Sequence, residues 1–133
     1  MTQRNIDAMD IIVTKVANGT KLSKALEEVY GRRQIRIPYK EEYFNDSIIG
    51  FGLSRRSTNS LCRARMRTLG DVIKYCDEKK ITDIPGLGAG SGIEIFEAIL
   101  DHCWNQMSND ERTYFLIDTV ENNQDYLRAE IAL

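Results

Sequence analysis

Residues 81–93 read ITDIPGLGAGSGI, and this stretch decides the fold. Pro85 and Gly86 favour a tight turn, and apolar residues recur at helical spacing after Ala89. The pattern therefore predicts a hairpin that opens a helix. The first amide groups of a helix have no intrahelical acceptor, so such a hairpin can bind a phosphate oxygen through its backbone. An ordinary glycine-rich turn between two helices is the alternative interpretation.

A second feature lies upstream, where residues 47–70 contain five arginines and no Asp or Glu. Ser54 is a suitable N-cap for a helix from Arg55 to about residue 65. Helical spacing predicts that one face of this helix carries guanidinium groups and an amide, a chemistry suited to nucleic acid, although charged faces are often only solvated. The predicted exposed face consists of Arg56, Asn59, Ser60, Arg63 and Arg67.

Three motifs in order resemble one known family. They are LSRRSTNSLCRA at residues 53–64, RTLGDV at 67–72 and IPGLGAGS at 84–91. Their order, spacing and residue types resemble the carboxy-terminal domain of the bacterial RNA polymerase alpha subunit, over roughly residues 47–105. Because 133 residues are too few for a whole alpha subunit, we expect a free-standing relative.

The resemblance implies an all-α, helix-hairpin-helix domain that binds the minor groove of A/T-rich double-stranded DNA and contacts transcription proteins. Arg56 matches the family's minor-groove arginine, Asn59 its DNA-contacting asparagine and Ser91 its phosphate-contacting serine. Ser60 stands where the family often has Cys, and Gly88 matches the hairpin glycine. The candidate DNA-binding residues are therefore Arg56, Asn59, Ser60, Arg63, Gly86, Gly88, Gly90 and Ser91.

Two positions depart from the family pattern. Ala89 and Gly90 stand where the family commonly has basic residues. Loss of about two phosphate contacts weakens binding several-fold to roughly a hundredfold at physiological salt. This departure supports an alternative function, a protein interaction module that binds RNA polymerase or a transcription factor without binding DNA by itself.

Charge is distributed unevenly along the sequence. The formal net charge is −2, but residues 1–70 carry +6 and residues 71–133 carry −8. Because the local field decides what binds where, a protein that is nearly neutral as a whole can still present a basic face to phosphate. Three cysteines without a Cys-x-x-Cys pair favour a reducing cytoplasm, and no apolar run reaches the length of a membrane span.

The remaining sequence predicts further helices on both sides of the central domain. We expect an N-terminal helical extension over residues 1–46, the alpha-domain-like core over 47–105 and an acidic helical extension over 106–133. The first extension consists of helices over residues 3–16 and 20–31, the second capped by Thr20, with a short strand or an extended linker at 34–38. Its role is either packing or dimerisation, or a second DNA element of helix-turn-helix kind, although Glu27 and Glu28 would repel phosphate there.

In the central and last parts of the sequence, residues 68–76 and 89–105 should be helical, and Ile93, Phe96, Leu100 and Cys103 should face the core. Ser108 begins a capping-box pattern for a helix to about residue 121, and a last helix is expected from Asn123. The oligomeric state is left open.

Catalytic chemistry is not recognisable in the sequence. There is no nucleophile with an obvious base, no Walker-type loop and no metal-ligand cluster, and His102 beside Cys103 lacks a second ligand pair. We therefore expect a non-enzymatic, cytoplasmic protein of bacterial transcription regulation, without metal or cofactor. Replacement of Gly88 by Val is expected to strain the hairpin.

Overall fold

The computed structural model describes residues 1–32 and 35–127. Within these ranges the protein is all-α, with no β-strand and six α-helices. One isolated antiparallel bridge joins Ser47 and Thr68. No helix in the described ranges is long and apolar enough to cross a membrane. The helices are α1 (Gln3–Ala17), α2 (Leu22–Tyr30), α3 (Arg55–Arg63), α4 (Leu69–Cys76), α5 (Ala89–Gln106) and α6 (Asn109–Asn122).

The protein divides into two compact units. Unit 1 combines Met1–Pro38 with Trp104–Leu133, and unit 2 is the continuous segment Tyr39–Cys103. The three-part division expected from the sequence, with boundaries after residues 46 and 105, stays a prediction.

Unit 1 is built on α1, which packs against α2 and α6. Ala8 and Ile12 of α1, Val29 of α2 and Val120 of α6 are fully buried. The helix α2 ends at Gly31, whose left-handed conformation (φ 69°) is typical of a helix C-terminus. The expected cap at Thr20 is wrong, because the N-cap position of α2 is Lys21 and has no side-chain capping bond.

A buried asparagine joins the two segments of unit 1. The Arg36 amide donates to Asn123 Oδ1 at 2.8 Å, and Asn123 Nδ2 donates to the Arg36 carbonyl at 2.7 Å. The Arg36 guanidinium also donates to Asp125 and to the Tyr126 hydroxyl. Residues 35–38 form no strand, so the short strand considered for residues 34–38 is wrong and the extended linker is the alternative that fits; Gln34 lies outside the described residues.

The helix expected from Asn123 is wrong over the described residues 123–127. Asn123 is fully buried, and a short 3₁₀ turn over Gln124–Tyr126 follows it. The amide side chain of Asn123 is fixed by the Arg36 backbone, so the backbone turns here instead of continuing α6. Residues 128–133, the rest of that expected helix, lie outside the described residues.

Unit 2 contains α3, α4 and the greater part of α5. The helix expected over residues 68–76 is α4, and Thr68 is its N-cap, which forms a reciprocal capping box with Asp71. Leu61, Leu69 and Leu100 are fully buried. The expected buried face of α5 is partly wrong: Leu100 and Cys103 are buried, but Ile93 and Phe96 are half-buried, and Ile95 and Ile99 complete the core.

Candidate nucleic-acid interface

The helix α3 begins as the sequence predicts. The Ser54 hydroxyl accepts a hydrogen bond from the Ser57 amide at 3.2 Å, which satisfies one of the unpaired donors of the first turn. The Ser54 amide itself donates to the Glu94 carboxylate of α5 at 2.8 Å. This bond ties the start of α3 to the first turns of α5, the two elements that carry most of the candidate residues.

Arg56 connects α3 to the hairpin. Its Nε donates to the Gly86 carbonyl at 3.2 Å. The guanidinium has five N–H donors, and this bond uses one of them. Arg56 is exposed, so the hairpin carbonyl positions a cationic group at the surface. Asn59, one turn further along α3, is also exposed.

Ser60 does not lie on the exposed face. It is 1% exposed, and its hydroxyl accepts a hydrogen bond from Arg63 Nη2 at 3.3 Å. A Cβ atom placed on Gly86 would lie 2.6 Å from Ser60 Oγ. Ser60 is therefore a packing contact between α3 and the hairpin, and the expectation that it faces outward is wrong. The physical reason is that the hairpin covers this side of α3.

Arg67 does not continue the α3 face either. The helix ends at Arg63, and Arg65 has a positive φ of 65°. The Met66 amide donates to Leu61 O and the Arg65 amide to Cys62 O, which is the Schellman arrangement that usually has glycine in this left-handed position. A non-glycine residue there costs about 1–2 kcal/mol. The turn redirects the backbone, so the helical spacing to Arg67 does not apply.

The hairpin is a tight turn that requires glycine at position 86. The Leu87 amide donates to Ile84 O at 3.1 Å. Pro85 and Gly86 are the two central residues, and Gly86 has φ +92°. Proline followed by a residue of positive φ is typical of a type II turn. Gly88 has no such φ, and a Cβ there would meet no atom within 4 Å. The expected strain at Gly88 is therefore wrong, and Gly86 is the glycine that the turn requires.

The start of α5 presents backbone donors. The Gly92 amide donates to Gly88 O at 3.0 Å, which makes Gly88 the residue that flanks the helix. The amides of Ala89, Gly90 and Ser91 then have no intrahelical acceptor. Added Cβ atoms at Gly88 or Gly90 would meet nothing within 4 Å, so both glycines lie against open space. This helix start can receive an anion without any cationic side chain.

Two residues of this arrangement were not predicted from the sequence. Glu94 accepts the Ser54 amide across a separation of 40 residues, and no local pattern signals such a bond. Gly92 lies close to the preceding 3₁₀ turn, where an added Cβ would be 3.0 Å from Ile81 Cγ2. A glycine inside a helical pattern indicates such a close approach, so the contact at Gly92 could have been predicted from the sequence.

His102 contacts other residues of unit 2, and Cys103 is buried in the same unit. His102 Nε2 lies 2.8 Å from Asp46 Oδ2, and its ring centroid is 4.2 Å from that of Phe51. Cys103 is fully buried, and burial, with the nearby Asp46 charge, raises its pKa to about 12. The described residues contain no group of three His, Cys, Asp or Glu side chains that could hold a metal ion.

Comparison with known proteins finds one family model that matches the segment carrying this geometry. Residues 36–101 match the family model of the carboxy-terminal domain of the bacterial RNA polymerase alpha subunit. The match covers α3, the hairpin and the first turns of α5, and it confirms the resemblance inferred from the sequence. No match was found among curated proteins or among solved structures.

Proposed function

Because residues 36–101 are similar to the carboxy-terminal domain of the bacterial RNA polymerase alpha subunit, we propose that this protein binds double-stranded DNA through its minor groove. The domains of this family are non-catalytic, and the proposed role is likewise binding and not catalysis. The proposed contacts are Arg56, Asn59, Arg63, Gly86, Gly88, Gly90 and Ser91, with Ser60 as the residue that packs the hairpin onto α3.

The bond from Arg56 Nε to the Gly86 carbonyl carries this proposal. It brings a cationic side chain of α3 next to the hairpin that precedes the unpaired amides of α5. Arginine in a narrow, electronegative minor groove and backbone amides on a neighbouring phosphate are two recurring modes of DNA recognition. The 3.2 Å bond holds these two donor sets together before DNA arrives, which lowers the ordering cost of binding.

The absence of basic side chains at Ala89 and Gly90 limits the predicted affinity. Backbone donors fix the register of a phosphate, but they neutralise less charge than lysine or arginine would. We expect weak, strongly salt-dependent binding to A/T-rich duplexes. In this proposal the protein acts in bacterial transcription regulation in the cytoplasm.

A second function has its own support. If the missing basic residues abolish autonomous DNA binding, the same domain serves as an interaction module for RNA polymerase or a transcription factor. The substitutions at Ala89 and Gly90 favour this alternative, and the acid-free, arginine-rich segment of residues 47–70 favours DNA.

Fluorescence anisotropy with a labelled A/T-rich duplex tests the DNA proposal. We expect Arg56→Ala to cost roughly 1–3 kcal/mol of binding free energy and to reduce the preference for A/T-rich over G/C-rich duplex. Arg65→Ala, beyond the end of α3, is the matched control and should change affinity little. With about three to five phosphates neutralised, the slope of log affinity against log salt should lie roughly between −3 and −4.5.

The two functions separate at low salt. If the wild-type protein binds no duplex there, the DNA contacts assigned to Arg56, Asn59 and Ser91 are wrong. Capture of purified RNA polymerase that Arg56→Ala abolishes would then support the interaction module.

A further inference from the structure

A pocket lies between the end of α3 and the exposed side of α4. Its volume is about 300 Å³. Buried Met66 and half-buried Tyr75 supply apolar surface to its lining. Three cationic side chains, Arg65, Lys74 and Lys79, also line it. Cations around an apolar surface suit a ligand that is both acidic and apolar.

Arg65 lines this pocket in a backbone conformation that is unfavourable for a residue with a Cβ atom. It is the one residue other than glycine with positive φ among the described residues. Glycine would fit this helix end without a steric penalty, yet the position carries a guanidinium that lines the pocket. Unfavourable backbone conformations of this kind cluster at functional sites, where the side chain is needed.

The charges around the pocket favour an acidic ligand. Asp71 lines it too, but its carboxylate is held at the start of α4, where it accepts hydrogen bonds from the amides of Arg67 at 2.9 Å and Thr68 at 3.1 Å. Glu78 is the other acidic lining residue, so cations outnumber carboxylates. Lys79 Nζ lies 5.6 Å from the centroid of the Tyr75 ring, which places one cation directly beside the apolar surface.

We propose that this pocket binds an acidic segment of a partner protein, with one apolar side chain against Tyr75 and Met66 and carboxylates near Arg65, Lys74 and Lys79. Duplex DNA fits less well, because the groove surface of DNA offers no apolar side chain to pack against Tyr75 and Met66. The proposal does not depend on DNA binding by the Arg56 region.

The test uses the full-length protein and a synthetic peptide of aspartate and glutamate residues around a central leucine and phenylalanine. Amide chemical shifts in ¹⁵N–¹H spectra locate the binding site, and isothermal titration calorimetry measures affinity. We expect shifts concentrated at residues 64–66 and 71–79. Binding should be lost with a lysine-rich peptide of the same apolar centre and should weaken when salt rises.

Arg65→Gly provides a sharp variant because its two expected effects have opposite signs. Removal of the guanidinium should weaken peptide binding by about fivefold to tenfold, as for loss of a charge-assisted contact. The same change should raise the melting temperature, because glycine relieves the left-handed strain. Arg55→Ala at the other end of α3 is the matched control and should leave the peptide affinity unchanged.

Three outcomes overturn the proposal. They are an acidic peptide that shifts no amide of the pocket, an Arg65→Gly protein that is more stable but binds the peptide as tightly as wild type, and an A/T-rich duplex that shifts the pocket amides while the peptide does not. Shifts confined to Arg56 and the hairpin on adding duplex would leave this proposal intact and support the DNA proposal separately.

Discussion

Replacement of Gly86 by Ala tests the packing of the hairpin on α3. Gly86 combines φ +92° with a neighbour, Ser60 Oγ, that would lie 2.6 Å from a new Cβ. That distance is shorter than van der Waals contact, so the Ser60 hydroxyl or the turn must move. The Ser60 residue is 1% exposed and bonded to Arg63, which leaves little room for such a movement.

The magnitude follows from two separate costs. A residue with a Cβ atom at a strongly positive φ loses about 1–2 kcal/mol. Rotation of the Ser60 hydroxyl away from Arg63 loses a hydrogen bond, about 1 kcal/mol. We therefore expect Gly86→Ala to lower the free energy of unfolding by about 2–3 kcal/mol. Because the Gly86 carbonyl holds Arg56, duplex affinity should fall as well.

Urea unfolding followed by circular dichroism measures the stability change, and anisotropy measures DNA binding. For the stability measurement Gly88→Ala is the matched control, because an added Cβ there meets nothing within 4 Å. In the Ser60→Ala background the hydrogen bond from Arg63 to Ser60 is already absent, so adding Gly86→Ala should cost only the backbone part, and the two changes should couple by about 1 kcal/mol. Equal stability of Gly86→Ala and Gly88→Ala would refute the conclusion that the turn requires glycine at position 86.

Three further predictions concern other parts of the protein. Capping bonds lower the pKa of Asp71, so its stabilisation is present above the ordinary pKa of an aspartate and is lost as pH falls through the lower folded value. As pH falls below the ordinary value of about 4, the free energy of unfolding should therefore fall more for wild type than for Asp71→Asn. Asn123→Ala should cost about 2–4 kcal/mol in urea unfolding because it leaves buried backbone groups unpaired, whereas exposed Asn122→Ala should change little. Burial raises the pKa of Cys103 to about 12, so peptide mapping after mild alkylation should find exposed Cys76 modified and Cys103 unmodified until the protein unfolds.

Local signals predicted the starts of helices best. Ser54 and Ser108 each cap a helix in the structure as their sequence context predicts. These assignments succeed because a capping bond spans only about three residues, so the sequence window contains both of its partners. The same holds for Gly31, where a helix ends in the left-handed conformation.

Contacts between distant segments were not predictable in the same way. Burial of Ser60 depends on the hairpin at Gly86, and the position of the last described turn depends on the bond between Asn123 and Arg36. Helical spacing assigned Ser60 to the exposed face of α3, one residue too far. Spacing alone cannot show which residues at the margin of a helix face are covered by another segment. For the candidate site, the sequence identified Arg56 and the hairpin. Only the structure showed that Gly86 is the glycine that the turn requires and that Glu94 accepts the Ser54 amide.

The discontinuity of unit 1 has a consequence for the order of folding during synthesis. Unit 2 is one continuous segment, Tyr39–Cys103, and all its partners have been synthesised once Cys103 is added. Unit 1 needs Met1–Pro38 together with the segment that begins at Trp104. The ribosome therefore releases the helical pair α1 and α2 well before α6, the packing partner of α1, exists. Once residue 103 has left the ribosome exit tunnel, unit 2 can fold, whereas buried Ile12 of α1 still lacks the cover of α6 and stays open to chaperones and proteases.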